Sequence, residues 1–238
     1  MIPVENLLYK IDFKLNKLSS ERGQSIPIED KILALNEAQI RLIKKKVGNN
    51  NIYKTGFDSF KVRYQDLQNL VVPHEKVIVT KDSSIIPSYS FNVEVLAENY
   101  YLPVDIYVVA NRGKCKNRVV SVSALSRHDS IQTLLNNPHY KPSFLWQETI
   151  AAMTSDRVIV YSDDFQIGQC WFSYIRYPQK IDYEGYIHLN GEPSITSNCE
   201  LEEYLEDELL ELAIMELGYN TDNNNAAQAA NLKSQNSE

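Results

Sequence analysis

Apolar residues return every three or four positions at the start of the chain. Val4, Leu7, Leu8, Ile11, Leu15 and Leu18 share one helical face, with Lys10, Lys14 and Lys17 on the outer side. That spacing predicts a first helix opening at Pro3, a residue the first turn tolerates. Residues 19–23 break the run, and a second helix is predicted from Pro27. Glu29 and Asp30 fall in its first turn, Lys44, Lys45 and Lys46 in its last, and Gly48 follows as a stop, an order of charges that complements the helix dipole. Its apolar positions, among them Ile28, Ile32, Leu33, Leu35, Ile40 and Leu42, wrap around more than one face. A helix with so wide an apolar surface is expected at the centre of a bundle. A third, shorter helix is expected over residues 58–70.

After Pro73 the period becomes two. Residues 76–80 read as a short strand. Val104, Ile106, Val108 and Ala110 alternate with Asp105 and Tyr107, a turn signal follows at Asn111-Arg112-Gly113-Lys114, and residues 117–122 return, which predicts a β-hairpin. Residues 129–135 predict a short helix. Asn137-Pro138 and Lys141-Pro142 mark an irregular loop. Strands are expected over 147–153, 157–161 and 165–177, where Pro178 ends the ladder because it has no N–H to donate. Ser197 and Glu200 have the spacing of a capping box. Leu201, Leu205, Leu209, Leu212 and Ala213 then form the stripe of a closing helix that stops at Gly218. The expected fold class is α+β: a helical bundle of N-terminal helices plus the C-terminal helix, with an inserted antiparallel β-domain and an extended C-terminal tail. The boundaries are 1–72, 73–192, 193–219 and 220–238.

Composition adds to this picture at the end of the chain. The tail from Asn220 is rich in Asn, Gln and Ala and cannot bury enough apolar surface to offset its ordering entropy. Its order must come from a neighbour, so Asn220, Asn223, Asn224, Asn225, Gln228 and Leu232 are candidate partner-binding residues. The net charge of −7 argues against general nucleic-acid binding. Charge is also uneven: the segment before Lys81 is net basic, and Glu192 to Glu216 holds acids without a base. Glu202 and Glu206 on that acidic face are candidates for partner docking. Fifteen tyrosines against two tryptophans suit half-buried strand faces or interfaces.

The search for chemistry returns little. His74, His128, His139 and His188 have no metal-ligand spacing with one another or with a cysteine. Asp163 and Asp164 read as turn residues after Ser162. Ser126, His128 and Asp129 are adjacent in sequence, whereas a triad is assembled in space. No glycine-rich phosphate loop is present. Arg41, Lys44, Lys45 and Lys46 form the strongest basic cluster, read as lysines complementing a helix C-terminus, with DNA phosphate or an acidic partner as the rival. Cys115, Cys170 and Cys199 show no CxxC pair, so no disulfide framework is expected and a reducing compartment fits. Cys115, between Lys114 and Lys116, is the one to test for reactivity. Met1-Ile2-Pro3-Val4 leads directly into the first helix, so no signal peptide is expected. No apolar run has the length of a membrane span. No catalytic residue, cofactor or metal is assigned.

Three stretches together resemble a known family. Residues 28–39 are similar to the long N-terminal helix of phage head-to-tail connector proteins. Asn137-Pro138-His139-Tyr140-Lys141-Pro142, residues 157–161 and Tyr174-Ile175-Arg176-Tyr177-Pro178 look like their β-domain, and residues 208–219 with the polar tail are similar to their closing helix. The nearest likeness is to the ring or adaptor proteins of crAss-like and related Bacteroides phages. The resemblance implies a virion structural protein that is not an enzyme. It would be a head–tail connector subunit assembled in the host bacterial cytoplasm. Its implied partners are further copies of itself in a closed, twelve-fold ring, the portal protein, and the next tail or ring protein. DNA would pass through the channel without sequence-specific binding, and no membrane is involved. Another tail-completion or accessory virion protein, or a small hydrolase using Asp163, Asp164 or His128, are the alternatives.

Overall fold

The computed structural model describes residues 1–18, 26–47, 65–82, 86–126, 131–154, 156–188 and 191–220. The protein is a mixed α+β chain that divides into two compact units. One consists of Met1–Leu70 with Pro178–Glu238, the other of Val71–Tyr177. The third helix expected over residues 58–70 falls mostly outside the described residues; a 3-10 turn, Gln68–Leu70, closes that stretch.

In the first unit, helix α1 (Val4–Leu18) buries Val4, Leu7, Leu8 and Ile11 as the spacing predicted. Its start is secured from far along the chain. The Val4 amide, unpaired in any helix first turn, donates to the Asn198 side chain (3.1 Å). Ile2 and Cys199 exchange two backbone hydrogen bonds. Helix α2 (Ile28–Val47) buries one face, Ile32, Leu35, Ala38, Leu42 and Ile43, and leaves Leu33 exposed. The closing helix, labelled α4 (Glu206–Asn220), is buried almost all round: Leu209, Leu210, Leu212, Ala213, Ile214, Met215 and Leu217. α4 rather than α2 is thus the helix with the widest buried surface, because its apolar residues are spread over more of its circumference.

The capping box is also corrected. Ser197 is in an extended segment whose backbone pairs with Asp182, and the Glu200 carboxylate accepts from the Gln179 amide (2.8 Å). A 3-10 turn, Glu203–Leu205, follows, and α4 begins only at Glu206.

The second unit is one eight-stranded sheet. Its strands are β1 (Val71–Val77), β2 (Thr80–Lys81), β3 (Ser88–Asn92), β4 (Tyr100–Arg112), β5 (Cys115–Ser126), β6 (Glu148–Met153), β7 (Arg157–Tyr161) and β8 (Gln166–Arg176). They lie in the order β1-β8-β4-β5-β6-β7-β3-β2. All pairs are antiparallel except β5 with β6, which run parallel; here the expected antiparallel domain is corrected. A parallel pair needs a crossover of a dozen or more residues, and residues 127–147, with the short helix α3 (Ile131–Leu135), supply it.

The sheet curls. Phe91 on β3 and Phe172 on β8 are five strands apart, about 24 Å in a flat sheet. Their rings nonetheless meet edge to face with centroids 5.5 Å apart. The concave face closes over Ile106, Val108, Phe172, Tyr174 and their neighbours. On β6 and β7 the opposite face is covered too: Ile150, Ala152 and Tyr161 pack with Ile131 of α3. Pro103 lies where β4 has only β8 beside it, since pairing with β5 begins at Tyr107, so its missing N–H breaks no ladder bond on that side.

Candidate functional site

The charged residues singled out in the sequence meet one another in the first unit. α2 ends in lysines and α4 opens on acids, so each charge lies at the helix end its dipole favours. Lys45 and Lys46 reach Glu208 (3.3 and 2.8 Å), and one turn back on α2 Arg41 pairs with Glu216, two turns on along α4. The two helices therefore run antiparallel. Lys46 also holds Asp66 (3.1 Å), whose other oxygen accepts from the Tyr204 hydroxyl (2.8 Å). Burial opposes the charge on Lys46, but Glu208 and Asp66 outweigh it and push its pKa above the ordinary lysine value. Lys44 is exposed. The acidic face is engaged in the same way. Glu206 takes Lys10 of α1 (2.5 Å), Asp207 takes Lys14 (3.3 Å), and Glu202 accepts from Asn69 (2.8 Å). Asn220 is the last residue of α4. Asn223, Asn224, Asn225, Gln228 and Leu232 lie outside the described residues, as does His128.

A second arrangement centres on Asp182, a residue that no motif in the sequence singles out. Residues 182–188 and 191–197 lie side by side, with isolated bridges Asp182 to Ser197 and Ile187 to Pro193. The Asp182 carboxylate accepts from the Tyr186 hydroxyl (2.6 Å), His188 Nε2 (2.9 Å) and the amides of Ile195 (3.1 Å) and Tyr183 (2.8 Å). Burial alone would raise its pKa. The four donors, Tyr186 first, overcome that and hold it below the usual carboxylate value. Gly191 makes the reverse turn at φ +84°, a conformation that strains any side chain. Asn36 of α2 ties the base down, exchanging hydrogen bonds with the Ile181 backbone (both 2.9 Å). This braced loop presents two isoleucines to solvent, Ile187 at 71 % and Ile195 at 73 % exposure.

In the second unit, Asp163 and Asp164 are each committed to a different cation, Lys141 (2.8 Å) and Arg112 (2.5 Å). Two carboxylates paired separately do not share a proton. They rim a cleft of about 520 Å³ whose other walls include His139, Phe144 and Glu148. Leu145 and Trp146 also line it and stand 70 % and 81 % exposed. Phe144 anchors the loop beneath them. It is buried, with Arg118 over its ring at 5.3 Å, and Arg118 also donates to the Leu145 carbonyl (3.4 Å). The signal in the sequence was Phe144-Leu145-Trp146, three large apolar residues in a row shortly after Pro138 and Pro142. Cys170 and Cys199 are buried, and burial pushes their thiols up to about 12 and about 11; Cys115 is exposed. Among the described residues no group of three or more His, Cys, Asp or Glu could hold a metal ion. No described helix is long and apolar enough to cross a membrane.

Side chains that pair among themselves while large apolar residues stand exposed on braced loops are those of a protein that works by surface contact. The chain belongs to the phage tail ring protein 3/4 family, which it matches over residues 4–229. No curated protein gives a significant match. Membership makes this a structural ring protein of a phage virion that assembles with other phage proteins, and the family is not one of enzymes.

Proposed function

We propose that this chain is a ring subunit of the head–tail connector, joining the portal to the tail and surrounding the DNA channel. The observation that carries the reading is the family match, which runs through both compact units and into the polar tail. The helical unit is a bundle completed by α4, the β unit is an insertion within it, and residues from Asn220 onward are an arm to a neighbouring subunit or the portal. A ring made of one repeated head-to-tail contact closes when the rotation between copies divides the circle. Closure turns weak contacts into a stable assembly. Twelve copies matched to the portal, an acidic wall that releases passing DNA, and assembly in the host cytoplasm complete the proposal.

Electron microscopy of the purified chain, alone and mixed with portal, tests it. Closed rings that dock on the portal are expected, and a monomer under both conditions sinks the reading. Deleting residues 220–238 is expected to leave the monomer folded and to impair docking. The family description names a tail ring, which favours a second reading, a ring further down the tail. Labelled particles with density away from the head would select it.

A further inference from the structure

The two exposed apolar loops differ in charge. Residues 182–197 hold Asp182, Glu184 and Glu192 and no Lys or Arg. Residues 112–118, the β4–β5 turn with the strand ends beside it, hold Arg112, Lys114, Lys116 and Arg118 and no acid. Arg112 is neutralised by Asp164 and Arg118 lies over Phe144. Lys114 and Lys116 make no ion pair among the described residues, and Cys115 between them is exposed. The Arg118 contacts with Phe144 and Leu145 join this basic turn to the apolar Leu145–Trp146 face. Glu184 and Glu192 flank Ile187 and Ile195 in the same way, and both carboxylate residues are exposed.

We propose that the braced loop of residues 182–197 seats Ile187 and Ile195 on the Leu145–Trp146 face of the next copy of this chain, with Glu184 and Glu192 against its Lys114–Lys116 turn. This rests on the ring reading and names the surfaces that build the ring. The contact is heterologous: each copy gives a loop to one neighbour and a face to the other. The loop is held by the Asp182 fan and by Asn36 before any partner arrives, so little ordering entropy opposes docking. A tryptophan of this exposure at the centre of a contact is the residue type that dominates binding. The other common route to self-association, strand addition at a sheet edge, is blunted. β1 carries Pro73 and a bulge at His74, and β2 has two residues.

The full-length chain tests this with its native Cys115. Glu192→Cys treated with a short bis-maleimide is expected to give a ladder of covalent oligomers, absent when Cys115→Ser is added. A cross-link confined to one chain, read as a monomer of altered mobility, overturns the proposal. Trp146→Ala is expected to raise the protein concentration needed for assembly about 30-fold, with an unchanged thermal melt. Glu184→Lys/Glu192→Lys and Lys114→Glu/Lys116→Glu are each expected to assemble poorly alone and to form rings when mixed, because the two alternate with every contact restored. Wild-type rings together with unimpaired variants and no ladder overturn this interface and leave the ring reading standing. Wild type that neither assembles nor cross-links at any concentration ends both.

Discussion

The helical and β units are built from opposite resources. The unit of Met1–Leu70 with Pro178–Glu238 holds 14 Lys and Arg against 21 Asp and Glu, and so carries the whole net charge of −7; Val71–Tyr177 holds ten of each. The acidic unit packs around α4, whose apolar residues are buried and whose acids pair with α1 and α2. The neutral unit depends on a stack of aromatics, with Tyr100, Phe172 and Tyr174 in mutual contact inside a curled sheet. Charge pairing fixes which helices meet and in what direction. Aromatic packing fixes how far a sheet curls. The two units should accordingly fail in different ways.

The largest effect is expected from Phe172→Ala. Phe172 is fully buried at the point where β8 meets β3, so truncation removes both its own burial and the contact that closes the curl. About 3–5 kcal/mol is expected. Hydrogen exchange resolved by peptide should show strands β3, β4 and β8 opening faster while α2 and α4 hold, since each unit has its own core. Equal acceleration in α4 would show that the two cores are one.

Glu208→Ala is the matching blow to the helical unit. It leaves Lys45 and Lys46 without their shared acid. Removing one side of a buried pair costs several kcal/mol, and the partial access of water here reduces that to about 1–2 kcal/mol. Asp207→Ala, on the 86 % exposed partner of Lys14, should cost less than about 0.5 kcal/mol. Urea titrations of both variants give the ratio. The pH dependence has a definite sign. The pKa of Lys46 is raised in the fold, so its contribution is complete below the ordinary lysine value, about 10.4. It is lost as pH climbs through the higher folded value. Wild type should lose stability in strong alkali, and a Lys46→Met variant should lose less over that range.

The same contrast explains which parts of the molecule the sequence disclosed. Apolar strands bounded by turn residues were legible: β7 has the expected bounds, and the turn expected at Asn111 to Lys114 is made at Gly113 with φ +54°. β3 was not. Its Ser88 and Ser90 are buried because both hydroxyls donate to Asp82 (3.2 and 2.8 Å). A strand buried at all but its last residue thus reads as polar. The acids of α4 read as one face for partner docking, although their side chains answer cations on two different helices. The basic run from Arg41 to Lys46 was visible as a cluster, but its partners lie some 170 residues away in sequence. Ser197 had the right neighbour for a capping box and was claimed by a more distant one, the Asp182 backbone. Local spacing shows what a residue could do, and long-range pairing decides between the options.

A change of similar size to that at Glu208, but confined to one loop, is expected at Asp182, where the helical unit depends on a single carboxylate. Asp182→Asn replaces an acceptor of four hydrogen bonds with a group that presents N–H on one side. About 2 kcal/mol of local stability is expected to go, read as faster exchange at residues 183–195 with α2 and α4 unchanged. Because the pKa of Asp182 is depressed, its contribution is whole above the usual carboxylate value, about pH 4. It is lost as pH falls through the lower folded value. Wild type should show an acid-induced loosening of this loop that the Asn variant lacks. If assembly proceeds through the loop, that loosening will also raise the concentration needed for ring formation.

The smallest change should run the other way. Gln39 on α2 is 1 % exposed, and its Nε2 has no hydrogen-bond partner among the described residues. A buried donor left unpaired costs more than the side chain returns by packing. Gln39→Leu keeps most of the volume and removes the orphan, so a gain of about 1 kcal/mol is expected in urea unfolding. Among the described residues the β unit offers no equivalent, because its buried Ser88, Ser90 and Thr149 all have acceptors, and Thr149→Val there should destabilise. A loss of stability in Gln39→Leu would show that Gln39 is satisfied by a bound water or by a neighbour supplied in the ring, and the helical unit would then be as fully paired as the sheet.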